Sequence, residues 1–296
     1  QTLNGYQPTS NNQAISKGNN TITLDDMTNP EETFYTAPGT TTRNATIIIK
    51  DGENPIDTLY ADANGNVPGK TINWQLETTG KNLTLAYNAP NADNENITKI
   101  DVDDEETVSI NHLLNAYFPI NITADEEVNW QANETTGTGN GTANLSARAN
   151  NLLVNFSASA PSAENYSTSK TFSIGGGNHS IVMDWIYQIT MNNTENGSSI
   201  TGLFNNEQEY TATGNGEGVQ RTFTRTGEKN GTLKVEQTLN GYQPTSNNQA
   251  ISKGNSSITL DDMIPESVNI RFTGTSSSPP GSIITFTEEG TSISGT

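Results

Sequence analysis

A stretch of nineteen residues, QTLNGYQPTSNNQAISKGN, occurs twice in this chain, at 1–19 and at 237–255. The similarity continues to residues 1–27 and 237–263, over which only two positions differ. Repetition at a fixed offset, here 236 residues, is typical of chains built from stacked or strung units. The duplication therefore predicts an array in which the same junction between units recurs. The alternative is a recent duplication with no mechanical role.

The composition favours folded β domains with long polar loops. Apolar residues make up 31% of the 296 residues and the formal net charge is −19, a combination that can indicate disorder. The apolar residues nevertheless cluster in short β-rich runs, and only 16% of the residues are charged. The absence of Cys excludes disulfides and thiolate metal sites.

Charge and hydropathy also exclude several classes of partner. The excess of acidic residues argues against nucleic acid, which needs a Lys/Arg surface, and against anionic lipid. No apolar run approaches the 18 residues that a membrane-spanning helix requires. No signal peptide is recognisable, so we expect the sequence to begin at a processed terminus or inside a longer polypeptide.

Short β-branched runs predict strands along the whole chain. Runs such as ATIIIK (45–50) and NLLVNFSAS (151–159) alternate apolar and polar residues, as half-buried strands do. RTFTRTGEKNGTLKVE (221–236) predicts a hairpin with Asn230-Gly231 at its turn. A single short helix is expected near residues 105–117.

These runs and the duplication predict an all-β chain of tandem immunoglobulin-like β-sandwich domains with long polar loops. Residues 1–40 form a repeat-junction segment, and a first sandwich covers 41–131. A Gly/Thr-rich linker, NETTGTGNGT (133–142), leads to a second sandwich at 143–236. Residues 237–296 start a further unit, so the repeating unit holds about two sandwiches.

Two segments carry a family resemblance. DTLYADANGNVPGKTINWQLE (57–77) resembles the first hairpin of the immunoglobulin-like repeats in invasin-type and methanogen adhesin-like surface proteins of bacteria and archaea. The match runs from Asp62 to Asn66, whereas Val67 and Pro68 stand in exchanged order. AYFPINITA (116–124) resembles the closing strand of that family, and the long polar insert at 88–106 departs from it. The resemblance implies a sandwich fold and a stalk, adhesive or surface-layer role without catalytic residues.

Fifteen Asn-x-Ser/Thr glycosylation acceptors indicate a secreted or cell-surface setting. The duplicated segment keeps an acceptor in both copies, although an Asn- and Thr-rich chain also produces such triplets passively. The acceptors are Asn19, Asn44, Asn82, Asn96, Asn121, Asn133, Asn140, Asn144, Asn155, Asn165, Asn178, Asn192, Asn196, Asn230 and Asn255. We therefore expect an extracellular glycoprotein with covalent N-linked glycans.

Calcium is the one metal for which the sequence offers candidate ligands. Ca²⁺ takes six to eight oxygen ligands, and acidic and amide side chains cluster in DVDDEE (101–106) and DANGN (62–66). The candidate ligands are Asp62, Asn64, Asp101, Asp103 and Asp104. Neither stretch has the full spacing of a calcium loop, so a solvated acidic loop and an Asn-Gly hairpin are the alternative. No other cofactor is expected.

No catalytic site is predicted. His112 and His179 are the only histidines, and they lie far apart in strand-like runs without evident catalytic partners. The three tryptophans, Trp74, Trp130 and Trp185, lie in or beside β-rich runs, where packing in a core is the simple interpretation. An exposed aromatic face for carbohydrate is the alternative.

The sequence thus favours a non-enzymatic structural glycoprotein of a surface filament, sheath, surface layer or adhesin stalk. Its expected partners are copies of itself, arranged head to tail, and other surface glycans. A carbohydrate- or Ca²⁺-dependent adhesive module is the alternative, and a secreted glycosidase or peptidase is a third class. A stronger hypothesis is that the duplicated block, or the strand beside it, completes a sheet in the neighbouring unit by strand addition. That hypothesis requires residues 1–27 and 237–263 to adopt the same structure.

Overall fold

The computed structural model describes residues 9–25, 27, 31–75, 81–102, 105–267, 284–288 and 291–295. Every regular element within these residues is a β-strand, which confirms the predicted all-β class. The helix expected near residues 105–117 is wrong, because that stretch holds a two-residue strand and the start of a longer strand, joined by non-helical residues. No helix capable of crossing a bilayer occurs in the described part of the chain.

Most of the strands fall into three consecutive blocks. The first block contains β1 (Glu31–Thr36), β2 (Gly39–Thr40), β3 (Thr46–Asp51), β4 (Asn54–Tyr60), β5 (Asn66–Val67), β6 (Lys70–Gln75), β7 (Lys81–Asn88), β8 (Glu95–Val102) and β9 (Thr107–Val108). The second contains β10 (Ala116–Thr123), β11 (Asn129–Ala132), β12 (Thr135–Thr138), β13 (Gly141–Ala147), β14 (Asn151–Ser159), β15 (Tyr166–Ser173) and β16 (Gly177–Ser180).

The third block contains β17 (Asp184–Asn192), β18 (Ser199–Phe204), β19 (Glu207–Thr213), β20 (Gly218–Thr226), β21 (Asn230–Thr238), β22 (Thr245–Ser252) and β23 (Gly254–Thr259). A separate pair follows it, β24 (Ile284–Glu288) and β25 (Thr291–Gly295), which are antiparallel to each other.

The three blocks share one strand order. Each has a three-stranded and a four-stranded sheet: β6-β1-β9 with β4-β3-β7-β8, β13-β10-β16 with β12-β11-β14-β15, and β20-β17-β23 with β19-β18-β21-β22. β2 and β5 form a small sheet of their own. If the remaining strands are numbered within each block, the order is 4-1-7 and 3-2-5-6 in all three. In the first two blocks, strand 1 is antiparallel to strand 4 and parallel to strand 7.

Alternating apolar residues build the cores of these sheets. Successive side chains of a strand point to opposite faces of the sheet. A strand in which polar and apolar residues alternate therefore has one polar face and one apolar face. In β14, for example, Val154, Phe156 and Ala158 are buried while their neighbours are exposed or half-buried. In the first block, the buried side chains of both sheets belong to a single hydrophobic cluster, with Phe34 from one sheet and Leu85 from the other.

The chain divides into two compact units. One comprises Gln1–Gln188, Thr222–Asn230 and Ser252–Gly254, and therefore contains the whole first and second blocks. The other comprises Ile189–Arg221, Gly231–Ile251 and Asn255–Thr296.

The Gly/Thr-rich stretch 133–142, expected to be a linker, lies instead inside the second block. It contains β12 and the start of β13, and β12 pairs with β11 in a four-stranded sheet. Two of its glycines face a large ring: a Cβ on Gly137 would lie 2.2 Å from a Trp130 ring carbon, and one on Gly141 would lie 2.7 Å from the same carbon. These glycines therefore make room for Trp130 within the sheet.

The hairpin predicted over residues 221–236 is also wrong. β20 and β21 belong to different sheets, so the chain crosses between sheets here. The left-handed residue in this connection is Gly227 (φ 73°). Gly231 lies within β21, where a Cβ would come 2.1 Å from a ring carbon of Phe204. The glycine is thus needed for ring packing, which an Asn-Gly pair alone does not reveal.

Candidate functional site

One backbone arrangement recurs three times, and we call it the joint. In each case, the turn that precedes strand 6 of a block forms two hydrogen bonds with the segment that follows that block. At the first joint, the Asp93 N–H donates to the carbonyl of Asn115 (3.0 Å), and the Tyr117 N–H donates to the carbonyl of Asn91 (2.8 Å). Ala92 and Ala116 form the antiparallel bridge between these bonds.

The second and third joints have the same pattern. At the second joint, the Glu164 N–H donates to Asp184 O and the Ile186 N–H donates to Ser162 O, both at 2.8 Å, around the bridge Ala163–Trp185. At the third joint, the Gln243 N–H donates to Ile264 O (2.8 Å) and the Glu266 N–H donates to Gly241 O (2.9 Å), around the bridge Tyr242–Pro265. The central residue of the incoming segment needs no N–H, which explains why proline fits at 265.

Each turn contains a left-handed residue at the same place. Asn91, Ser162 and Gly241 have φ values of 57°, 56° and 82°, and the carbonyl of each accepts the joint hydrogen bond. The first two turns share a short sequence pattern, APNADN (89–94) and APSAEN (160–165). Our sequence reasoning missed the joints, although this Ala-Pro-x-Ala-acid-Asn pattern is a signal that could have located two of them.

Side chains reinforce the first joint. Nε2 of His112 lies 2.8 Å from a carboxylate oxygen of Glu95, and the Arg148 guanidinium donates both to Glu95 and to the carbonyl of Leu113 (2.8 Å). Burial raises the pKa of the Glu95 carboxyl, but the hydrogen bonds and charges of His112 and Arg148 together bring it below its usual range. The acidic residue of the turn, Asp93, accepts hydrogen bonds from Tyr117 and Asn115.

Asn150 ties the second block to the first as well. Its amide nitrogen donates to the carbonyl of Thr41 at 2.9 Å, and its amide oxygen accepts from the N–H of Arg43 at 2.7 Å. One side chain therefore satisfies a donor and an acceptor of a connection that leads into β3.

A different set of side chains reinforces the second joint. The ammonium of Lys253 lies 4.1 Å from the centre of the Trp185 ring and bonds to Glu127. The ammonium of Lys229 lies 2.8 Å from Asp125. The hydrogen bond from Lys229 lowers the pKa of Asp125, and the hydrogen bond from Lys253 lowers the pKa of Glu127. Two lysines and two carboxylates thus form one network over a buried tryptophan.

The calcium candidates divide into two groups. Asp62 accepts hydrogen bonds from the N–H groups of Asn64 and Asn66, both at 2.8 Å, and from the side-chain amide of Asn66 at 3.1 Å. The backbone hydrogen bond from Asn66, followed by its side-chain hydrogen bond, lowers the pKa of Asp62. Both oxygens of this carboxylate are therefore used in capping the turn, for which Gly65 supplies a φ of 87°.

The structure does not test the second group. Asp103 and Asp104 lie outside the described residues, as does the side chain of Asp101, so calcium at DVDDEE stays a prediction. Within the described residues, no three His, Cys, Asp or Glu side chains form a group suited to a metal.

The two histidines and the described tryptophans pack against neighbouring side chains. His179 stacks on Phe156 with ring centres 3.8 Å apart, and its Nε2 lies 3.2 Å from the Tyr166 hydroxyl. Burial, followed by the charge of Lys170, lowers the pKa of His179. Trp130 and Trp185 are buried and present no flat face to solvent. The Trp74 side chain lies outside the described part of the structure.

Thirteen of the fifteen predicted glycosylation acceptors have exposed side chains. The two exceptions are half-buried and hydrogen-bonded. The Asn133 side-chain oxygen accepts from the N–H of Asn155 at 2.9 Å, and the Asn192 amide nitrogen donates to the Ser257 hydroxyl at 2.8 Å. The hydroxyl residue of the second acceptor, Thr194, is also buried. The side chains of these two acceptors are therefore less accessible to solvent than those of the other thirteen.

The duplicated segment has two structures. The second copy forms β22 and β23, whereas residues 9–25 of the first copy contain no strand. The requirement that both copies adopt the same structure is not met, so the strand-addition hypothesis is wrong as a statement about both. The copies do agree locally: Asn11 donates to the Thr23 carbonyl at 2.8 Å, and its equivalent Asn247 donates to the Thr259 carbonyl at 2.6 Å.

No protein-family model and no curated protein sequence matches the chain. Among solved structures, the Bacillus anthracis TIE protein is 8% identical, with a TM-score of 0.28, over 77% of this chain and 49% of that one. A Ca²⁺-stabilized adhesin with which an Antarctic bacterium binds ice is 9% identical, with a TM-score of 0.16, over 76% and 74%. A 1.5-MDa bacterial ice-binding adhesin is 8% identical, with a TM-score of 0.16, over 77% and 98%.

At these identities and TM-scores, the similarities establish neither a family nor a function for this chain. Two of the three neighbours are bacterial adhesins, and the chain spans about half the length of the first structure. The resemblance to immunoglobulin-like surface repeats is not confirmed by any family model.

Proposed function

We propose that this chain is part of a non-enzymatic, extracellular structural glycoprotein, a repeat unit or subunit of a surface filament, sheath, surface layer or adhesin stalk. The observation that carries the proposal is the joint, which links each block to the next segment by the same two backbone hydrogen bonds. A connection repeated with one geometry is what a linear array of domains requires.

In this proposal, each block is an immunoglobulin-like sandwich. Seven strands in sheets of three and four match the size of such domains, and the shared hydrophobic cluster of the first block fits two sheets packed face to face. The duplication offset of 236 residues then contains three sandwiches, one more than we expected from the sequence. Residues 264–266, which complete the third joint, begin a fourth.

The surface fits an extracellular setting. Twelve of the thirteen exposed acceptors are distributed over all three blocks, and N-linked glycans there would cover polar faces and discourage edge-to-edge pairing of strands. The net charge of −19 favours solubility and keeps copies from associating non-specifically.

Native protein from its source cells gives the direct test. Intact cells are treated with a membrane-impermeant biotin reagent, and the mass of the captured chain is measured before and after chemical deglycosylation. We expect labelling on intact cells and a large loss of mass on deglycosylation. Labelling only after lysis, or a captured chain without glycan, would contradict the proposal.

Stretching single molecules tests the array itself. A full chain held at both ends should unfold in three main steps, each releasing roughly 20–27 nm, because an extended residue spans about 3.5 Å. One cooperative unfolding step would argue against tandem domains.

One observation favours the adhesive alternative. A shallow groove of about 620 Å³ lies on the sheet of β11 and β14, lined by polar side chains such as Asn129, Gln131 and Ser157, with Tyr166 at one side. Hydroxyl and amide groups beside an aromatic ring are suited to carbohydrate. Binding to a glycan array that disappears with a chelator would favour a Ca²⁺-dependent adhesin. Turnover of glycosidic or peptide substrates by the purified chain would instead revive the enzymatic class.

A further inference from the structure

One predicted glycosylation acceptor lies in a pocket of the second block. The acceptor triplet 144–146 belongs to β13, and its residues line a pocket of about 390 Å³ together with Tyr117 and Pro119 of β10. This volume falls within the roughly 300–1,000 Å³ of pockets that bind small molecules. The attachment point of a glycan and a pocket of suitable size therefore coincide.

The register of β10 and β13 explains why these side chains meet. Pro119 is directly opposite Asn144, and Tyr117 is directly opposite Ser146, so Tyr117 is also the diagonal neighbour of Asn144. Side chains directly opposite each other have Cβ atoms about 4.5–5.5 Å apart, and a diagonal neighbour is still within reach of an aromatic ring. The acceptor side chain thus has a proline ring and a tyrosine ring beside it.

The tyrosine ring is fixed at one end and accessible elsewhere. The Tyr117 hydroxyl donates to the Asp93 carboxylate, and the Tyr117 N–H donates one of the two hydrogen bonds of the first joint, to the carbonyl of Asn91. The residue is nevertheless 43% exposed. A ring that is already held in place loses little conformational freedom when a ligand packs on it.

The segment on the other side of β10 does not cover this ring. Gly175 donates its N–H to the carbonyl of Tyr117 at 3.0 Å, and a Cβ on Gly176 would lie 1.8 Å from the carbonyl oxygen of Pro119. The close approach requires glycine, and glycine has no side chain that could lie over a neighbouring ring. The face that Tyr117 and Pro119 present to solvent therefore stays open on this side.

A sugar ring is the ligand that suits this surface. A pyranose has C–H groups on its flat face and hydroxyl groups around its edge. The negative face of an aromatic ring attracts C–H hydrogens, and packing on it removes apolar surface from water. A glycan on Asn144 is attached beside the pocket, so its first sugar is present there at a high effective concentration.

We propose that the first sugar of a glycan on Asn144 packs against the rings of Tyr117 and Pro119. The inference rests on the proposed glycoprotein and names a binding site for one of its glycans. Because the Tyr117 N–H takes part in the first joint, the packed sugar also shields this joint from water. Glycosylation at this acceptor therefore stabilises the joint.

Nuclear magnetic resonance of a labelled sugar tests the packing directly. A glycosyltransferase adds single isotope-labelled glucose units to the Asn-x-Ser/Thr acceptors of the folded full chain, and the glucose signals absent from the Ser146→Ala variant belong to Asn144. We expect the ring current of Tyr117 to shift these signals upfield relative to the denatured chain, with nuclear Overhauser effects to the Tyr117 ring protons. Glucose signals that are the same in the folded and the denatured chain would overturn the inference.

Glucose on Asn96 is the control, and its signals are those absent from the Thr98→Ala variant. Asn96 also lies on a strand and is exposed, but it is directly opposite Ala86 instead of a ring. Its glucose signals should therefore show no upfield shift. An equal shift at Asn96 and Asn144 would mean that the ring of Tyr117 is not its cause.

Two variants separate the ring from its hydrogen bond. Tyr117→Phe keeps the ring and loses the bond to Asp93, so the upfield shift should persist, whereas Tyr117→Leu should abolish it. Glucose should also slow hydrogen exchange of the residue 117 amide several-fold in the wild type and in Tyr117→Phe, but not in Tyr117→Leu or Ser146→Ala. Protection that persists in Tyr117→Leu would refute packing on the ring, and the wild-type signals remain decisive if a variant fails to fold.

The proposed function and this inference can fail separately. Glucose is added to the purified chain, so a sugar that does not pack on Tyr117 would leave the glycans of the native protein unaffected. A native chain without glycans would contradict the proposed function, while the packing of glucose on Asn144 would still be measured.

Discussion

At the scale of single residues, the joint depends on a backbone conformation that most side chains avoid. Asn91, Ser162 and Gly241 all have positive φ. For an L-residue this conformation costs roughly 1–2 kcal/mol, and only Gly, and less often Asn or Asp, adopts it routinely. In each turn, this conformation directs the carbonyl of the residue towards the segment that follows the block, where it accepts the hydrogen bond of the joint. Because Gly adopts this conformation at a lower cost than Asn or Ser, the same substitution should change stability by a different amount in each of the three turns.

Gly241 allows this cost to be measured without steric interference, because a Cβ there would meet no atom within 4 Å. We expect Gly241→Ala to lower the free energy of unfolding by about 1–2 kcal/mol. Gly241→Asn, which reproduces the residue at position 91, should cost clearly less. Urea denaturation of both variants gives the comparison. An equal loss in the two variants would contradict a backbone origin.

Gly137 tests the packing of glycine against Trp130. Gly137→Ala places a methyl group 2.2 Å from a ring carbon, so the ring must move within a sheet, and overpacking of this kind costs about 1–3 kcal/mol. Gly177→Ala in the same block is the control, because its Cβ would lie at an ordinary 3.5 Å from Phe172. We expect a lower urea midpoint and altered tryptophan fluorescence for the first variant only.

At the scale of elements, the first and second joints share backbone geometry and differ in side chains. Glu95, His112 and Arg148 support the first joint, whereas lysines and carboxylates around Trp185 support the second. Because the backbone pattern is shared but the supporting side chains differ, each joint can have its own stability and its own response to pH.

The second joint should be sensitive to acid. The folded-state pKa values of Asp125 and Glu127 are lowered from 3.8 and 4.5, so the stability they contribute is present above these values and is lost as the pH falls through the lowered ones. Glu127→Gln should therefore lower Tm at pH 7, and the difference from the wild type should shrink towards pH 3. Calorimetry across this range measures it.

Glu236→Gln is the control for this prediction, because the side chains of the Glu236–Lys234 pair are exposed. Such pairs contribute about 0.2–1 kcal/mol at most, so its effect on Tm should be small at every pH. A Tm difference for Glu127→Gln that did not shrink as the pH was lowered would show that its effect is not electrostatic.

Much of the strand content could be predicted from the sequence, because alternation marks half-buried strands such as β3 and β14. The connections could not. Gly231, Gly137 and Gly141 indicate turns or linkers when only the sequence is read, but in the folded sheets they lie against the rings of Phe204 and Trp130. The joints were missed because they are backbone contacts between segments that lie twenty or more residues apart.

The duplicated segment shows most clearly why sequence alone is insufficient. Nearly identical residues form β22 and β23 in one place and no strand in another. Their intrinsic propensities are nearly equal, so the sheet edge beside β22 and β23 decides the outcome. A nearly identical sequence therefore predicts a similar preference but not the same structure.

At the scale of the whole molecule, the surface is strongly acidic, and glycosylation acceptors are spread over all three blocks. A glycan is attached to the Asn side chain, so an acceptor works in the folded chain only where that side chain is accessible to solvent. Folding should therefore divide the fifteen acceptors into an open set and a closed set. The closed set consists of Asn133, which holds the N–H of Asn155, and Asn192, which donates to Ser257.

Glycosylation of the purified chain by an oligosaccharyltransferase tests this division, with each site quantified by mass spectrometry of its peptide. In the folded chain, we expect the exposed Asn144 and Asn196 to be modified and Asn133 and Asn192 to stay unmodified. After denaturation, all four should react, because the same triplets then lie in a flexible chain. Sites that stay unmodified in both states would point to the enzyme's own sequence preference. Equal modification of all four in the folded chain would mean that the hydrogen bonds of Asn133 and Asn192 open readily, and that exposure does not decide which acceptors carry glycans.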